Sequence, residues 1–296
     1  MLKQDNIVLN LENNVIEVET VRYDRDEKSI FVQVKHTLID TSEGMDCFSG
    51  LNKVNENPFY YGYISIGEVL EAGNNVHYCR KGMQVLIPAT YQKFIVISDH
   101  EKQRLSRTIF HVLPDSFNAD VIQILFYPLL CAANALIEQL KETETVNITL
   151  AGCHAFGGIL MKLCRLNDIS CEVILGTKDV SPFFVEQNGG RTITLSEDLL
   201  EKAEKVIILE KLSELKYIKV SDSEKYIHVN NFIEKEYGTS FWRNSYIQTN
   251  SEEILKNHDI DVSDMIGQHV HAEAAEETYR YICEDKYQGK LLVYDW

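Results

Sequence analysis

The run LAGCHAFGG (150–158) carries the most chemistry for its length. An apolar strand, NITLAG (147–152), leads into it, and an apolar-faced helix, GGILMKLCRL (157–166), leads out. Glycines at such a strand-to-helix turn allow a tight bend and let a pyrophosphate approach the helix N-terminus, where backbone amides and the helix dipole favour an anion. Two registers fit. Gly152, His154 and Gly157 keep the spacing of a dinucleotide loop but put an imidazole where glycine belongs. Gly152, Ala155 and Gly158 replace the middle glycine with the milder alanine, and Phe156 stands inside both. The loop reads either as a nucleotide cradle or as a turn that has kept its shape without a ligand. After the next strand, CEVILG (171–176), a dinucleotide fold places an acid on the ribose hydroxyls; here Thr177 and Lys178 follow instead. A hydroxyl and a cation suit a ribose 2′-phosphate better than a free diol, which favours NADP and leaves NAD open.

Other reactive side chains are dispersed. Seven cysteines, Cys47, Cys79, Cys131, Cys153, Cys164, Cys171 and Cys283, form no C-x-x-C pair. An odd, scattered set in apolar segments points to reduced core thiols and a cytoplasmic protein, not to a disulfide framework or a zinc ribbon. His269 and His271 alternate on a short β-like run, with no carboxylate or cysteine close by in sequence.

The elements that must position the loop fall into regimes. Residues 1–118 are β-rich: FVQVKHTLI (31–39), ISIGEVLEAG (64–73), GMQVLIPA (82–89) and KFIVIS (93–98) read as strands, punctuated by Gly62, Gly67, Gly73 and Gly82 as the corners of a small barrel require. From 119 strands alternate with helices, the signature of a parallel α/β sheet. Asn118 is placed to cap a helix running to Glu142, and Asn188-Gly189-Gly190 to end another. TITL (192–195), KVIILE (205–210), KYIHVNN (225–231) and FWRNSYIQT (241–249) read as further strands. From 250 a helix, a strand near 268–271, a second helix and KLLVYDW (290–296) complete the first domain. The expected architecture is a β-rich domain of 1–118 with 250–296 around a nucleotide domain of 119–249.

The net charge of −16 opposes binding to phosphate backbones and anionic membranes. The opening MLKQDNIVLN lacks the features of a signal peptide, and the apolar run Val121 to Leu140 is interrupted by Gln123, Asn134 and Glu138, as a buried helix allows. A small-molecule substrate, with neither nucleic acid nor membrane as partner, is the expectation.

The order of segments resembles the medium-chain dehydrogenase/reductase family over most of the chain. The resemblance rests on PFYYGYISIGEVLEAGNNVHYCRKGMQVLIP (58–88) and on the closing GKLLVYDW. Within the family, IDTSEGMDCFSG (39–50), the Gly62-Tyr63-x-Ser65-x-Gly67 run and AANAL (132–136) are most similar to the branch that includes bacteriochlorophyllide hydroxyethyl dehydrogenases. The resemblance implies a GroES-like domain, a Rossmann-type cofactor domain and an NAD(P)(H)-dependent oxidoreductase acting on a ketone, a secondary alcohol or an activated alkene. Asp40, Tyr63 with Ile64, and Tyr127 stand where zinc-dependent relatives carry ligands, a set that cannot hold tetrahedral zinc, so no metal is expected. The resemblance places Asp40, Ser42 and Tyr63 in the catalytic cleft, with Asp40-x-Ser42 relaying protons and Tyr63 donating to a substrate oxygen. It also implies a homodimer joined through the strand at 241–249. The departures at the loop and the zinc positions leave a second reading, a catalytically silent binding or scaffolding subunit.

Overall fold

A computed structural model describes residues 2–10, 15–23, 27–39, 64–87, 92–98, 111–113, 120–152, 155–175, 182–194, 203–209, 225–228, 245–257, 259–274 and 291–296. The chain divides into two units: Met1–Leu125 with Ile266–Tyr287 and Leu291–Trp296, and Phe126–Met265 with Gln288–Lys290. The first unit takes up the chain again at Ile266.

In the first unit, β1 (Leu2–Asn10) and β2 (Val15–Tyr23) form an antiparallel pair of their own. A seven-stranded sheet follows, built from β3 (Ser29–Ile39), β4 (Ile64–Ala72), β5 (Gln84–Ile87), β6 (Phe94–Ser98), β7 (His111–Val112) and the late strands β13 (Ile266–His271) and β14 (Leu291–Asp295). Its order is β13-β14-β3-β4-β5-β7, with β6 also paired to β3. Strand β3 is buried on both faces, which explains its nearly continuous apolar run. Ile30, Val32 and Val34 join Val69, Val85 and Ile97 in one core, while Phe31 lies in another with Tyr23 and Phe94, its ring stacked on theirs at centroid distances of 5.2 and 5.6 Å. Gly67 is required by β3: a Cβ there would lie 2.5 Å from Val32 Cγ1 and 2.8 Å from the Gln33 carbonyl oxygen.

The second unit holds a five-stranded parallel sheet. Helix α1 (Val121–Glu142) leads to β8 (Asn147–Ala151), α2 (Ala155–Leu166), β9 (Ser170–Ile174), α3 (Pro182–Gln187), β10 (Arg191–Ile193), β11 (Lys205–Ile208) and β12 (Tyr226–His228). The strand order is β10-β9-β8-β11-β12, so the chain moves outward from β8 twice, once to each side. That is the 3-2-1-4-5 order of a doubly wound nucleotide fold.

Local chemistry explains the element ends. The cap of α1 is Asp120, two residues beyond Asn118: its carboxylate accepts from Ile122 N at 2.8 Å, and Gln123 Oε1 accepts from Asp120 N at 3.2 Å. Pro182 opens α3, where its missing N–H costs nothing, and Gly189 (φ 91°) ends it with Gly190 N donating to the Val185 carbonyl. The strand expected at 241–249 is overturned from 245 onward. Ser245–Lys256 is a helix, α4, because Ile247, Ser251, Ile254 and Leu255 recur at helical spacing and are all buried. Residues 241–244 lie outside the described residues.

Candidate functional site

The topological switch lies between β8 and β11, whose carboxyl ends are paired at Ala151 and Ile208. Leu209 N donates to the Ala151 carbonyl at 3.0 Å, closing the sheet at the point from which the loop departs. Ligands of open parallel sheets bind in the crevice outside such ends. Gly152 is the first residue past β8. It has φ 85°, a left-handed conformation in which a side chain would be strained, and its amide donates to the Ile174 carbonyl at 2.9 Å. Its N–H is thus held by the edge of β9. Amides for an anion must come from the start of α2, at Ala155, Phe156 and Gly157, which precede the first intrahelical hydrogen bond. No acidic residue occupies that first turn, so the positive end of the helix dipole is not neutralised by its own side chains.

Phe156 is 1% exposed and belongs to the core. Gly158 lets α2 pack closely: a Cβ there would stand 2.6 Å from Met265 Cε and 3.0 Å from Phe184 Cζ. One turn further along α2, Lys162 pairs with Asp264 at 2.9 Å, fastening the short helix Ser263–Met265 to the same helix. His154, Thr177 and Lys178 lie outside the described residues, as do Asp40, Ser42 and Tyr63. The strand ends next to the last group are adjacent in the sheet. Leu38, two residues before Asp40, pairs with Ile64, the residue after Tyr63.

Sequence reasoning missed two buried polar chains. Trp296 Nε1 donates to Thr37 Oγ1 at 2.8 Å, and Thr37 shares a 2.8 Å hydrogen bond with Ser65 Oγ. Both hydroxyl residues are 0% exposed, and Ser65 belongs to the Tyr63-x-Ser65-x-Gly67 run, so part of the signal was visible. The second chain joins α1 to α4. Asn134 Nδ2 donates to Ser251 Oγ at 3.3 Å, and the Ser251 and Tyr127 hydroxyls flank the Cys131 thiol. Burial pushes Cys131 up to about 12, against the lowering effect of those two hydroxyls. Burial likewise raises Tyr127 far above the ordinary phenol range, with Cys131 adding to the shift. Tyr127 is 0% exposed, so a protonated phenol is sealed in the core here. Among the described residues, Glu71, Ala72, Val76, Cys79, Arg80 and Lys81 line a hollow of about 280 Å³ in the β-rich unit, which contains none of the loop residues.

No protein-family model and no curated protein matches the chain. Solved structures do, over nearly the whole length. A putative NADPH:quinone reductase from Bacillus thuringiensis has a TM-score of 0.67 at 12% identity, covering 99% of this chain and 98% of that one. The alcohol dehydrogenase TADH from Thermus sp. ATN1 has a TM-score of 0.65 at 12% identity, covering 99% and 100%. An oxidoreductase/dehydrogenase of unknown specificity from Escherichia coli has a TM-score of 0.63 at 13% identity, covering 99% of both chains. At these identities the likeness shows the fold alone: the chain has the α/β architecture of these solved structures, a GroES-like β-rich unit with a Rossmann-type parallel sheet.

Proposed function

We propose that the chain is a zinc-independent, NADP(H)-linked oxidoreductase of the cytoplasm that moves hydride to or from a ketone or secondary alcohol, or onto an activated alkene. The observation that carries this reading is the left-handed Gly152 at the end of the central strand β8, followed at once by the unneutralised N-terminus of α2. Such a turn suits a pyrophosphate, with the amides of Ala155, Phe156 and Gly157 as donors. The close packing of Gly158 supports the Gly152, Ala155, Gly158 register, in which the last glycine serves helix packing. Thr177 and Lys178 follow β9 and are assigned to the 2′-phosphate.

A bound nicotinamide would supply or accept the hydride; the chain must stabilise the oxygen charge and deliver the proton. Tyr63, beside the start of β4, is assigned as donor to the substrate oxygen, and Asp40 with Ser42, beyond the end of β3, as the proton path. The pairing of Leu38 with Ile64 supports grouping these segments. Zinc independence is supported by Tyr127, whose buried, protonated phenol does not fit a metal ligand.

Titration of the purified protein with NADPH and with NADH, followed by nicotinamide fluorescence, tests the reading. Saturable binding is expected, tighter for NADPH, and Lys178→Ala should narrow the difference between the two. Absence of saturable binding of either at millimolar concentration would overturn it in favour of a catalytically silent relative, for which the altered loop, with His154 or Ala155 in a glycine position, and the missing zinc set are the motivating features.

A further inference from the structure

We infer that the hollow at the end of β4 is a binding site for a free α-amino acid with an aliphatic or thioether side chain. Glu71 and Ala72, the last residues of β4, line it together with Val76, Cys79, Arg80 and Lys81 from the connection to β5, and it encloses about 280 Å³. That volume lies at the lower edge of the roughly 300–1,000 Å³ of small-ligand sites, which selects a small metabolite. The observation that carries the inference is a pair of opposite charges that do not meet. Glu71 and Lys81 line the same hollow, yet among the described residues neither side chain forms an ion pair or a hydrogen bond. Arg80, beside Lys81, adds a second cation, so the rim carries two positive groups and one negative in a chain whose net charge is −16.

A carboxylate and an ammonium held apart on one small concavity match a ligand that carries both opposite charges. An α-amino acid does so, with its carboxylate on Lys81 and Arg80 and its ammonium on Glu71. The floor between them is apolar. Val76 and Cys79 are 9% and 6% exposed and belong to the core of the unit, with Ala72 packed against it. An aliphatic or thioether side chain laid on this floor is removed from water together with the floor itself. Backbone hydrogen bonds build the wall into the sheet. Gly73 N donates to Ser29 O at 2.9 Å, Val76 N to Gly73 O at 3.0 Å, Gly82 N to Val69 O at 2.8 Å and Met83 N to Arg80 O at 3.1 Å. Gly82, at φ 87°, makes the turn that follows Lys81. A wall fixed in this way spares the ligand the entropic cost of ordering it. Nothing in this assignment uses the loop after β8, Asp40, Ser42 or Tyr63.

The test uses the full-length protein and isothermal titration calorimetry with L-valine, L-leucine and L-methionine at low ionic strength. At least one should bind saturably at millimolar concentration or below. Each is compared with the amine and the carboxylic acid that lack one of its two charged groups, which for leucine are 3-methylbutylamine and 4-methylpentanoate. Both analogues should bind at least tenfold more weakly than their parent. Glu71→Gln and Lys81→Met should each weaken the amino acid about tenfold, through loss of one charge-assisted contact. Lys256→Met, which removes the same charge from α4 in the second unit, should leave binding unchanged. Circular dichroism verifies that each variant is folded. The inference is overturned if none of the three amino acids binds saturably at millimolar concentration, or if a singly charged analogue binds as tightly as its parent. It is also overturned if a folded Glu71→Gln or Lys81→Met binds as tightly as the wild type. No readout here uses a nucleotide, so failure leaves the reductase reading standing.

Discussion

Cys131 sits in an environment that resists ionisation, and this has a consequence for stability. Its folded pKa is raised to about 12 from an ordinary 9.0, so above pH 9 the unfolded chain releases a proton that the folded chain keeps. The stability contribution is complete below pH 9 and declines as pH rises towards 12, by at most about 1.4 kcal/mol per pH unit. Denaturant unfolding at pH 7, 9 and 10.5 should show this decline, and Cys131→Ala should flatten it even though the variant is weaker at pH 7. An equal slope in both proteins would exclude Cys131 as the source. The close-packed glycines make a second prediction at this scale. Gly67→Val drives a branched side chain into Val32 and the Gln33 carbonyl, and Gly158→Val drives one into Met265 and Phe184. Each should lower stability by about 1–3 kcal/mol, through overpacking. The cost at Gly158 should be the smaller, because Met265 can move its terminal methyl whereas the Gln33 backbone cannot. Thermal melts of the two variants decide the order.

At the scale of elements, α4 shows how a local pattern is misjudged. FWRNSYIQT is rich in β-formers, yet Ile247, Ser251, Ile254 and Leu255 continue a helical period across its end, and Glu252 pairs with Lys256 one turn on at 3.5 Å. Tyr246 is 59% exposed on this helix. The start of α1 shows the opposite case. Asp120-Val-Ile-Gln123 is a capping sequence legible in the chain, and it starts the helix two residues beyond Asn118. The reading of Val121–Glu142 as a buried helix also agrees with the structure. It is long and apolar enough to cross a membrane, but 72% of its most apolar window is buried within the protein.

At the scale of the whole molecule, the proposed assembly is a homodimer, and light scattering at micromolar concentration should give a mass near twice 34.0 kDa. From residue 245 onward the segment expected to join the protomers is the helix α4. Tyr246→Ala is therefore the informative variant. A shift to monomer would place the exposed face of α4 at the interface, and an unchanged dimer would direct attention elsewhere on the second unit. A wild type that remains monomeric removes the proposal altogether.

The alternation of strands and helices after residue 119, the glycine at the end of β8, the Asn-Gly-Gly stop after α3 and the apolar run of β3 were all legible in the sequence. Each is a pattern of contiguous residues whose backbone preferences and burial period act locally. The sequence did not disclose what meets across the chain. Asp295 standing between His36 and His269, Trp296 donating to Thr37, and Tyr127 closed into the core beside Cys131 and Ser251 depend on which strands and helices become neighbours. That choice is made by inter-strand hydrogen bonding and by the joint burial of distant apolar faces, terms that no window of sequence contains. For that reason the chain order indicated a nucleotide fold, while the contacts of Asp295 with His36 and His269 and the sealed position of Tyr127 emerged only from the tertiary structure.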